Sequence, residues 1–247
     1  MKRLGLIGFG QFGQLAAGVL RAHYDVLVTD LAPGAAAAAQ AAGVAFGSLE
    51  DVAVREVVVV AVPVAAMRAV FAALAPHLKP GALVVDVGSV KMLPAQWMAE
   101  ILPANVDLVA THPLFGPQSA KAGLKGLRFV ICPIRGDRHE RVAAFGRSLG
   151  LTVTVTTAEE HDREMAYVQA LTFYLGKALG EMEIPETPLK TATYQHLLDI
   201  RRIVTNDSPE LFETIQHFNP YAAEVRERVV ERLGMIEAGL EVARAKR

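Results

Sequence analysis

A glycine-rich segment near the start of the chain limits what the chain can fold into. A short apolar stretch, Leu4 to Ile7, runs directly into Gly8-x-Gly10-x-x-Gly13. In a dinucleotide-binding βαβ unit the first glycine makes a tight turn, and the second lets the backbone approach a pyrophosphate. The third lets the following helix pack close to the strand, so that the helix N-terminus faces the phosphate charge. The sequence therefore predicts a dinucleotide site here.

The residues around the glycines supply the context that this motif needs. A helix is predicted from Gln14 to Ala22, and a second apolar strand, Asp25 to Thr29, ends in Asp30. An acid about 20 residues beyond the glycines is placed to accept hydrogen bonds from the adenosine ribose hydroxyls and to repel a 2′-phosphate. This favours NAD as cofactor; the other interpretation is a structural glycine turn with a surface Asp. The predicted cofactor-binding residues are Gly8, Phe9, Gly10, Gln11, Phe12, Gly13, Asp30, Val62, Pro63 and Ser89.

Composition excludes several classes of protein. The chain has 247 residues and a formal net charge of -1, without the basic excess that a nucleic-acid surface needs. Its longest apolar run, Val57 to Met67, is too short to cross a bilayer and is broken by Pro63. The single cysteine, Cys132, cannot form an internal disulfide, which favours a reducing compartment. The N-terminal stretch leads into the glycine loop and does not read as a signal peptide. We expect a cytoplasmic metabolic enzyme with no membrane and no nucleic-acid partner.

Strands and helices alternate over residues 1–157, which predicts a Rossmann-type, doubly wound α/β domain with a mostly parallel sheet. The valine-rich run Glu56 to Pro63 is typical of a strand buried on both faces of such a sheet. The other elements predicted in this domain are a helix at Gly34 to Ala42, a helical stretch ending at His77, a strand at Ala82 to Val87, a helix at Met92 to Leu102, strands at Asp107 to Thr111 and Leu127 to Cys132, a helix at Arg138 to Leu149 and a strand at Leu151 to Thr156.

The sequence pattern of residues 158–247 predicts a separate, all-helical domain. Thr157 with Glu160 fits a capping box that starts it. A helical segment of this length with wide apolar faces seldom buries them within one chain, so we expect a homodimer formed through it. The predicted helices are Glu159 to Glu183, Thr191 to Thr205, Pro209 to Phe218 and Tyr221 to Ala245.

Two segments carry candidate catalytic residues. Ser89 and Lys91 follow the strand that ends near Asp86, and the carboxyl edge of a parallel sheet faces the ligand crevice. They could offer a hydroxyl and a cation to a polar substrate; the alternative is an ordinary strand-to-helix turn. His112 is expected directly after a strand, held by Pro113, and its near-neutral pKa suits removal of a hydroxyl proton during hydride transfer. Polar residues after it could line the same crevice, namely Gln118, Ser119 and Lys121.

These segments together resemble the prephenate and arogenate dehydrogenases of tyrosine biosynthesis, and most closely the short branch that includes the plant arogenate enzymes. The resemblance covers nearly the whole chain. It rests on Gly8 to Gly13, Asp86 to Lys91, Thr111 to Pro117 with Ser119 and Lys121, His161-Asp162 with Ala166 and Gln169, Thr187-Pro188, Tyr194 to Leu198, Asp207-Ser208 and Asn219.

The resemblance implies an NAD-dependent oxidative decarboxylation of a cyclohexadienyl substrate at a site between a Rossmann domain and a helical dimerisation domain. His112 would take the proton of the ring hydroxyl, and Ser89 would hydrogen-bond that hydroxyl and help to hold His112. Loss of the ring carboxylate as carbon dioxide would then aromatise the ring, with no metal needed. The predicted substrate-binding residues are Ser89, Lys91, His112, Gln118, Ser119, Lys121, Gln169, Thr172, Arg201, Arg202 and Asp207.

The chain departs from the family pattern in two places. A second histidine that many members carry after the His161-Asp162 pair is Phe173 here. The family arginine that binds a substrate carboxylate has no match at its usual spacing, although Arg201 and Arg202 lie near; such a pair is also typical of a solvated helix face. His161 and Asp162 could equally do no more than complete the first turn of a helix.

Asp207 bears on the identity of the substrate. In plant-like members an acid in this segment accompanies preference for arogenate, whose ammonium a buried carboxylate can pair with, while prephenate carries a keto group instead. The other interpretation is a helix start, with Ser208 as N-cap and Pro209 at the first helical position. We predict arogenate, with prephenate as a second substrate.

Two further interpretations of function stay open at this point. A β-hydroxyacid dehydrogenase would share the fold and use a lysine of the second domain, for which Lys177 is the candidate. A catalytically silent NAD-binding sensor would need only the glycine loop.

Overall fold

The chain forms two compact units, Met1–His161 and Asp162–Arg247, and the computed structural model describes residues 2–245. The helix Ala158–Met165 crosses the division. The domain boundary predicted after residue 157 comes at the start of this helix.

The first unit is an eight-stranded sheet with helices on its faces. The strands are β1 (Lys2–Ile7), β2 (Tyr24–Thr29), β3 (Ala45–Phe46), β4 (Val57–Val60), β5 (Leu83–Asp86), β6 (Asp107–Pro113), β7 (Arg128–Arg135) and β8 (Thr152–Val155). The helices are α1 (Gln11–Leu20), α2 (Ala35–Ala41), α3 (Leu49–Ala53), α4 (Val64–Leu74), α5 (Met92–Ile101), α6 (His139–Ser148) and the start of α7 (Ala158–Met165).

The strand order is β3-β2-β1-β4-β5-β6-β7-β8, and only the β6–β7 pair is antiparallel. The prediction of a doubly wound, mostly parallel Rossmann-type sheet is therefore confirmed. The chain reverses its direction of travel across the sheet between β1 and β4, and ligands of open α/β sheets bind outside the carboxyl ends of strands at such a switch point.

The register brings the carboxyl ends of the central strands to one edge. Ile7 pairs with Val60, Val60 with Asp86, and Asp86 with Ala110. The segments that follow β1, β4 and β5 therefore leave the sheet side by side. All four valines of β4 are buried, because helices cover both faces of the sheet at this point.

The structure differs from the prediction at three places in this unit. β3 and α3 were not predicted: a strand of two residues is too short to show periodicity, while α3 begins with a capping box between Ser48 and Asp51. Strand β6 runs on through Pro113, so His112 lies within the strand and pairs with Val130 of β7. The sequence led us to expect His112 directly after the strand. It lies inside the strand because pairing with the antiparallel strand β7 extends β6 as far as Pro113.

The second unit is helical, as predicted. After α7 come α8 (Thr172–Glu181), α9 (Ala192–Thr205), α10 (Pro209–Phe218) and α11 (Ala222–Ala245). The helix predicted as continuous from Glu159 is interrupted by a π-helical turn at Ala166–Leu171. The predicted capping box at its start is half formed, since the Thr157 hydroxyl accepts a hydrogen bond from the Glu160 N–H, but the Glu160 carboxylate accepts one from Thr156 instead.

Candidate active site

The glycine loop has the geometry that a close approach of backbone requires. Gly8 has φ +98°, and a Cβ there would lie 2.5 Å from the carbonyl oxygen of Ala61. A Cβ on Gly13 would lie 2.1 Å from the carbonyl oxygen of Gly8. Both positions therefore need glycine, one for the turn against the end of β4 and the other for helix α1 to start beside β1.

Gly10 differs from the other two glycines because the space around it is open. No heavy atom comes within 4 Å of the position that its Cβ would take. Gly10 is also the N-cap of α1, and no side chain caps the helix there. A helix N-terminus that no side chain caps, beside an open glycine, suits the pyrophosphate of a dinucleotide.

Asp30 is fixed directly onto the glycine loop. One carboxylate oxygen accepts a hydrogen bond from the Phe9 N–H, and the other accepts one from the Ala32 N–H at 2.6 Å. The Gln14 side chain donates to the Phe9 carbonyl at 3.1 Å and gives the loop a second anchor. Each carboxylate oxygen can accept a further hydrogen bond, so the ribose hydroxyls of a dinucleotide fit a carboxylate oriented in this way. The sequence predicted the acid but not its bond to Phe9.

A buried ion pair joins the ends of β5 and β6. Lys91 is fully buried, and its ammonium donates to the Asp86 carboxylate and to the Thr111 carbonyl, the latter at 2.6 Å. The Thr111 hydroxyl donates to the Asp86 carbonyl at 2.6 Å, and the Gly88 N–H donates to the Asp86 carboxylate at 2.8 Å. Burial raises the pKa of Asp86, while the Lys91 charge opposes that rise.

This ion pair changes the role expected for Lys91. We expected its cation to reach a substrate, but the ammonium lies inside the unit and ties two strand ends together. The residue after its partner Thr111 is His112, so Lys91 holds the strand residue that precedes the candidate base.

Ser89 lies at the same strand edge with a half-buried side chain. Within residues 2–245, no hydrogen bond joins it to His112, which corrects the expected bond between the two. Its hydroxyl remains available for a ligand at the sheet edge.

His112 is nearly enclosed, with 5% of its surface exposed. Its Nδ1 lies 2.8 Å from Nε2 of His161, a residue of the first turns of α7. Burial lowers the pKa of His112 well below its usual value, and the neighbouring His161 and Lys91 lower it further. The imidazole is therefore neutral at physiological pH, as a general base must be.

The loop after β6 holds the remaining predicted residues of this unit. Ser119 closes a turn, since its hydroxyl accepts from the Gly116 N–H at 3.0 Å. Gln118 and Lys121 are exposed, in and beside a short 3₁₀ turn. The Ser119 hydroxyl is thus hydrogen-bonded within its own loop, whereas the side chains of Gln118 and Lys121 face solvent.

A family model for the prephenate dehydrogenase nucleotide-binding domain matches residues 16–155. The chain belongs to the prephenate dehydrogenase family. A second model, the C-terminal domain of TYRAAT1-like proteins, matches residues 178–246. The first match covers most of the sheet unit, and the second runs from the last turn of α8 through α11.

Individual relatives agree with this assignment. Arogenate dehydrogenase 1 of Arabidopsis thaliana, described as chloroplastic, is 32% identical over 240 residues, and arogenate dehydrogenase 2 of the same plant is 32% identical over 238. Each alignment covers 92% of this chain, which spans only 38% of the first relative and 66% of the second.

A solved structure shows the same fold. Prephenate dehydrogenase from A. aeolicus, in complex with hydroxyphenyl propionate and NAD+, superposes with a TM-score of 0.79 at 22% identity, covering all of this chain and 93% of that one.

Within residues 2–245, no helix has the length and apolar character that a membrane crossing would require.

The second unit contains the other residues that the family resemblance singles out. Gln169 lies in the π-helical turn, and its amide oxygen is buried without a hydrogen-bond partner in the described chain. Such turns are frequent at functional sites. The Thr172 hydroxyl, by contrast, donates to the Val168 carbonyl at 2.9 Å and is satisfied within the helix.

Phe173 explains one departure from the family pattern. It packs in the core of the second unit with Val204 and Ile215, so the position that is histidine in many members serves packing here. Asn219 is also buried and donates to the Asp162 carbonyl at 2.7 Å, which fixes the end of α10 to α7.

The two candidate arginines are both engaged in the single chain. Arg201 donates to the Ile184 carbonyl at 2.6 Å, and Arg202 pairs with Asp199 at 3.1 Å on an exposed face.

Asp207 is exposed, not buried as we expected, although nearby atoms desolvate its carboxyl enough to raise the pKa.

Lys177, the lysine that a β-hydroxyacid dehydrogenase would use, is more than half exposed and pairs with Glu181 at 3.4 Å along α8. A surface ion pair of this kind is typical of a solvated helix face. Nothing in its surroundings favours a catalytic role.

Proposed function

We propose that the chain catalyses the NAD-dependent oxidative decarboxylation of a cyclohexadienyl substrate in tyrosine biosynthesis, with arogenate as the preferred compound and prephenate as a second one. The observation that carries the proposal is His112. A buried, neutral imidazole lies at the same sheet edge as an open glycine loop, in a member of the prephenate dehydrogenase family.

Bound NAD would supply a hydride acceptor. His112 accepts the proton of the ring hydroxyl as the carbon that carries it is oxidised to a carbonyl. The bond from the ring to its carboxylate then breaks, carbon dioxide leaves, and the electron pair enters the ring. The ring oxygen regains a proton from the His112 imidazolium, whose low pKa favours its release. Ser89 donates a hydrogen bond to the same oxygen.

Steady-state kinetics with NAD and each compound tests this function. NADH fluorescence should rise with arogenate or prephenate, with release of one carbon dioxide per NADH. If NAD binds in a calorimeter but neither compound yields NADH, the chain is a nucleotide-binding sensor and the proposal is wrong.

Asp30 is expected to make the enzyme prefer NAD over NADP. A 2′-phosphate beside this carboxylate would meet like-charge repulsion on the order of 2 kcal/mol, roughly a 30-fold loss in kcat/KM. The Asp30→Asn variant keeps an oxygen for the Phe9 N–H but loses the charge, so it should reduce that preference. Comparable kcat/KM for the two cofactors in the natural enzyme would contradict the assignment.

We further propose that the second unit holds two chains together. Four apolar residues recur along one side of α11 at the spacing of a helix seam, and three of them are more than half exposed. They are Val229, Leu233, Ile236 and Leu240. Exposed stripes of this kind usually mark an interface.

Light scattering should therefore give the mass of a dimer at micromolar concentration. Replacing both Leu233 and Ile236 with Glu should shift the mass to that of a monomer, because two carboxylates would be buried at the interface. Ala238→Glu adds a carboxylate on the opposite side of the same helix and should leave the dimer intact. A monomeric natural protein would overturn this proposal.

Asp207 supports the preference for arogenate. Its carboxylate is exposed in the single chain, so it can pair with the ammonium of a substrate that covers it. Asp207→Asn should lower the ratio of kcat/KM for arogenate to that for prephenate by roughly tenfold, the lower end for loss of a charged partner. An unchanged ratio, or prephenate as the better substrate of the natural enzyme, would remove this support.

The substrate carboxylates need cationic or amide partners. Lys121 and Arg202 present exposed cations to the carboxylates, while the buried amide oxygen of Gln169, which has no hydrogen-bond partner in the described chain, is an acceptor suited to the substrate ammonium. We propose these, with Gln118 and Arg201, as the groups that bind the carboxylates and the side chain of the substrate.

A cytoplasmic location belongs to the same proposal. Its support is the buried free thiol of Cys132, which fits a reducing compartment. Fractionation of the source cells would test it.

A further inference from the structure

His161 occupies a position next to His112 that the reaction outlined above does not use. It is 97% buried, and its ring meets that of His112 edge to face, with 5.1 Å between the ring centres and 64° between the planes. The two residues are far apart in sequence, yet Nδ1 of His112 and Nε2 of His161 are 2.8 Å apart. That distance requires a hydrogen bond between the nitrogens, so one of them carries the proton and the other accepts it.

The two nitrogens of His112 have different surroundings. Nδ1 is occupied by His161, whereas Nε2 has no hydrogen-bond partner among residues 2–245. The enclosed polar atoms without a partner in that part of the chain are Asp86 Oδ2, Arg138 Nε, His139 Nδ1 and Gln169 Oε1. Nε2 of His112 is not among them. It is therefore the nitrogen that a substrate hydroxyl can reach.

Which nitrogen carries the proton decides whether His112 can act. If His161 donated to Nδ1, the proton of neutral His112 would lie on Nε2, and the accessible nitrogen could not accept another. If His112 donates from Nδ1, the lone pair lies on Nε2 and points toward the accessible side. The hydrogen bond made by one ring nitrogen fixes the state of the other.

We propose that His161 is a positioning residue that accepts a hydrogen bond from the Nδ1–H of His112 and so holds the lone pair of the base on Nε2. This rests on the proposed function, in which His112 accepts the hydroxyl proton. The sequence led us to expect that Ser89 helps to hold His112. His161 has that role instead, because Ser89 makes no hydrogen bond to His112.

The backbone around His161 is held firmly enough for that task. Its N–H donates to the Thr157 carbonyl at 3.0 Å, and the Thr157 hydroxyl caps the same turn through the Glu160 N–H at 3.1 Å. Thr156, just before the turn, donates from its N–H to the Ile131 carbonyl of β7 at 3.0 Å. Since β7 is the strand that pairs with β6, both histidines are anchored to the same pair of strands.

Three variants separate positioning from simple packing. His161→Leu fills the space but removes the acceptor. His161→Gln places an amide oxygen near the position of the lost Nε2, so it can accept the same bond. His77→Leu makes a matched change at an exposed histidine of the same unit.

The first measurement needs no turnover. Long-range ¹H–¹⁵N NMR of the full chain, without substrate, distinguishes the two neutral tautomers of His112 by the nitrogen shifts. We expect Nδ1–H in the natural protein, in His161→Gln and in His77→Leu, and a mixture containing Nε2–H in His161→Leu. Nε2–H as the dominant form in the natural protein would overturn the proposal, whether or not the enzyme turns over cyclohexadienyl compounds.

The second measurement is kinetic. His161→Leu should lose roughly 10–10²-fold in kcat with little change in KM, because the wrong tautomer leaves substrate contacts in place. His161→Gln should recover most of that loss. Equal kcat in His161→Leu and His77→Leu would overturn the positioning role, and so would a loss that His161→Gln shares in full while its circular dichroism and NAD affinity stay normal.

Discussion

The His112→Asn variant is expected to lose about 10²–10⁴-fold in kcat, the usual contribution of a positioned general base. The side chain is buried at the end of β6, and asparagine fits the space without a group that can take up the hydroxyl proton. NAD affinity and the circular dichroism spectrum should stay normal, because the glycine loop follows β1 and Asp30 follows β2, whereas His112 is in β6. Steady-state kinetics and NAD titration check both parts, and near-natural turnover would mean that another group is the base.

The pH profile gives an independent check on the same residue. The usual pKa of His112 is 6.5, and burial, His161 and Lys91 all lower it. A lowered pKa keeps the imidazole unprotonated below that pH, so kcat/KM should stay level as pH falls through 6.5 and drop only when it reaches the lowered value. An acid limb centred at or above pH 6.5 would show that His112 does not govern the profile.

Lys91→Met is expected to destabilise the first unit by about 3–5 kcal/mol, since removing one partner of a buried ion pair leaves the other charge uncompensated. The remaining partner is Asp86, which is fully buried. The single tryptophan, Trp97, lies in α5 of this unit, so its fluorescence reports denaturant unfolding there. An unfolding midpoint equal to that of the natural protein would show that the pair contributes nothing.

The double variant Lys91→Met with Asp86→Asn is the matched control. An amide keeps an acceptor for the Gly88 N–H but carries no charge, so most of the lost stability should return. Recovery would show that the buried charge, and not the lost lysine packing, causes the destabilisation. If the double variant is as unstable as the single one, packing is the cause.

The loss in Lys91→Met should also depend on pH. Burial already raises the pKa of Asp86 above its usual 3.8, and the Lys91 charge is the largest influence that lowers it. Without Lys91 the carboxyl pKa rises further, so folding favours the protonated form and stability falls as pH rises above the unfolded value. The deficit should therefore be smaller at acidic pH than at neutral pH.

The sequence by itself determined the fold class, the cofactor loop and the helical second unit. Each depends on a local pattern that can be recognised without knowing any tertiary contact. These patterns are three glycines at fixed spacing, continuous valine runs typical of strands buried on both faces, and caps such as Ser208 and Pro209 that start α10 where it was predicted. The resemblance to the prephenate and arogenate dehydrogenases also came from sequence alone, and family membership is confirmed.

Only the tertiary structure decided what the site residues touch. Lys91 and Ser89 both follow β5, yet Lys91 is buried on Asp86 and Ser89 is only half buried. The pairing of β5 with β6 causes the difference for Lys91, because it brings the Thr111 carbonyl within reach of the ammonium. The partner of His112 is His161, which lies at the start of a helix far along the chain. Contacts between residues so distant in sequence depend on the order and register of the strands, and no local pattern in the sequence encodes them.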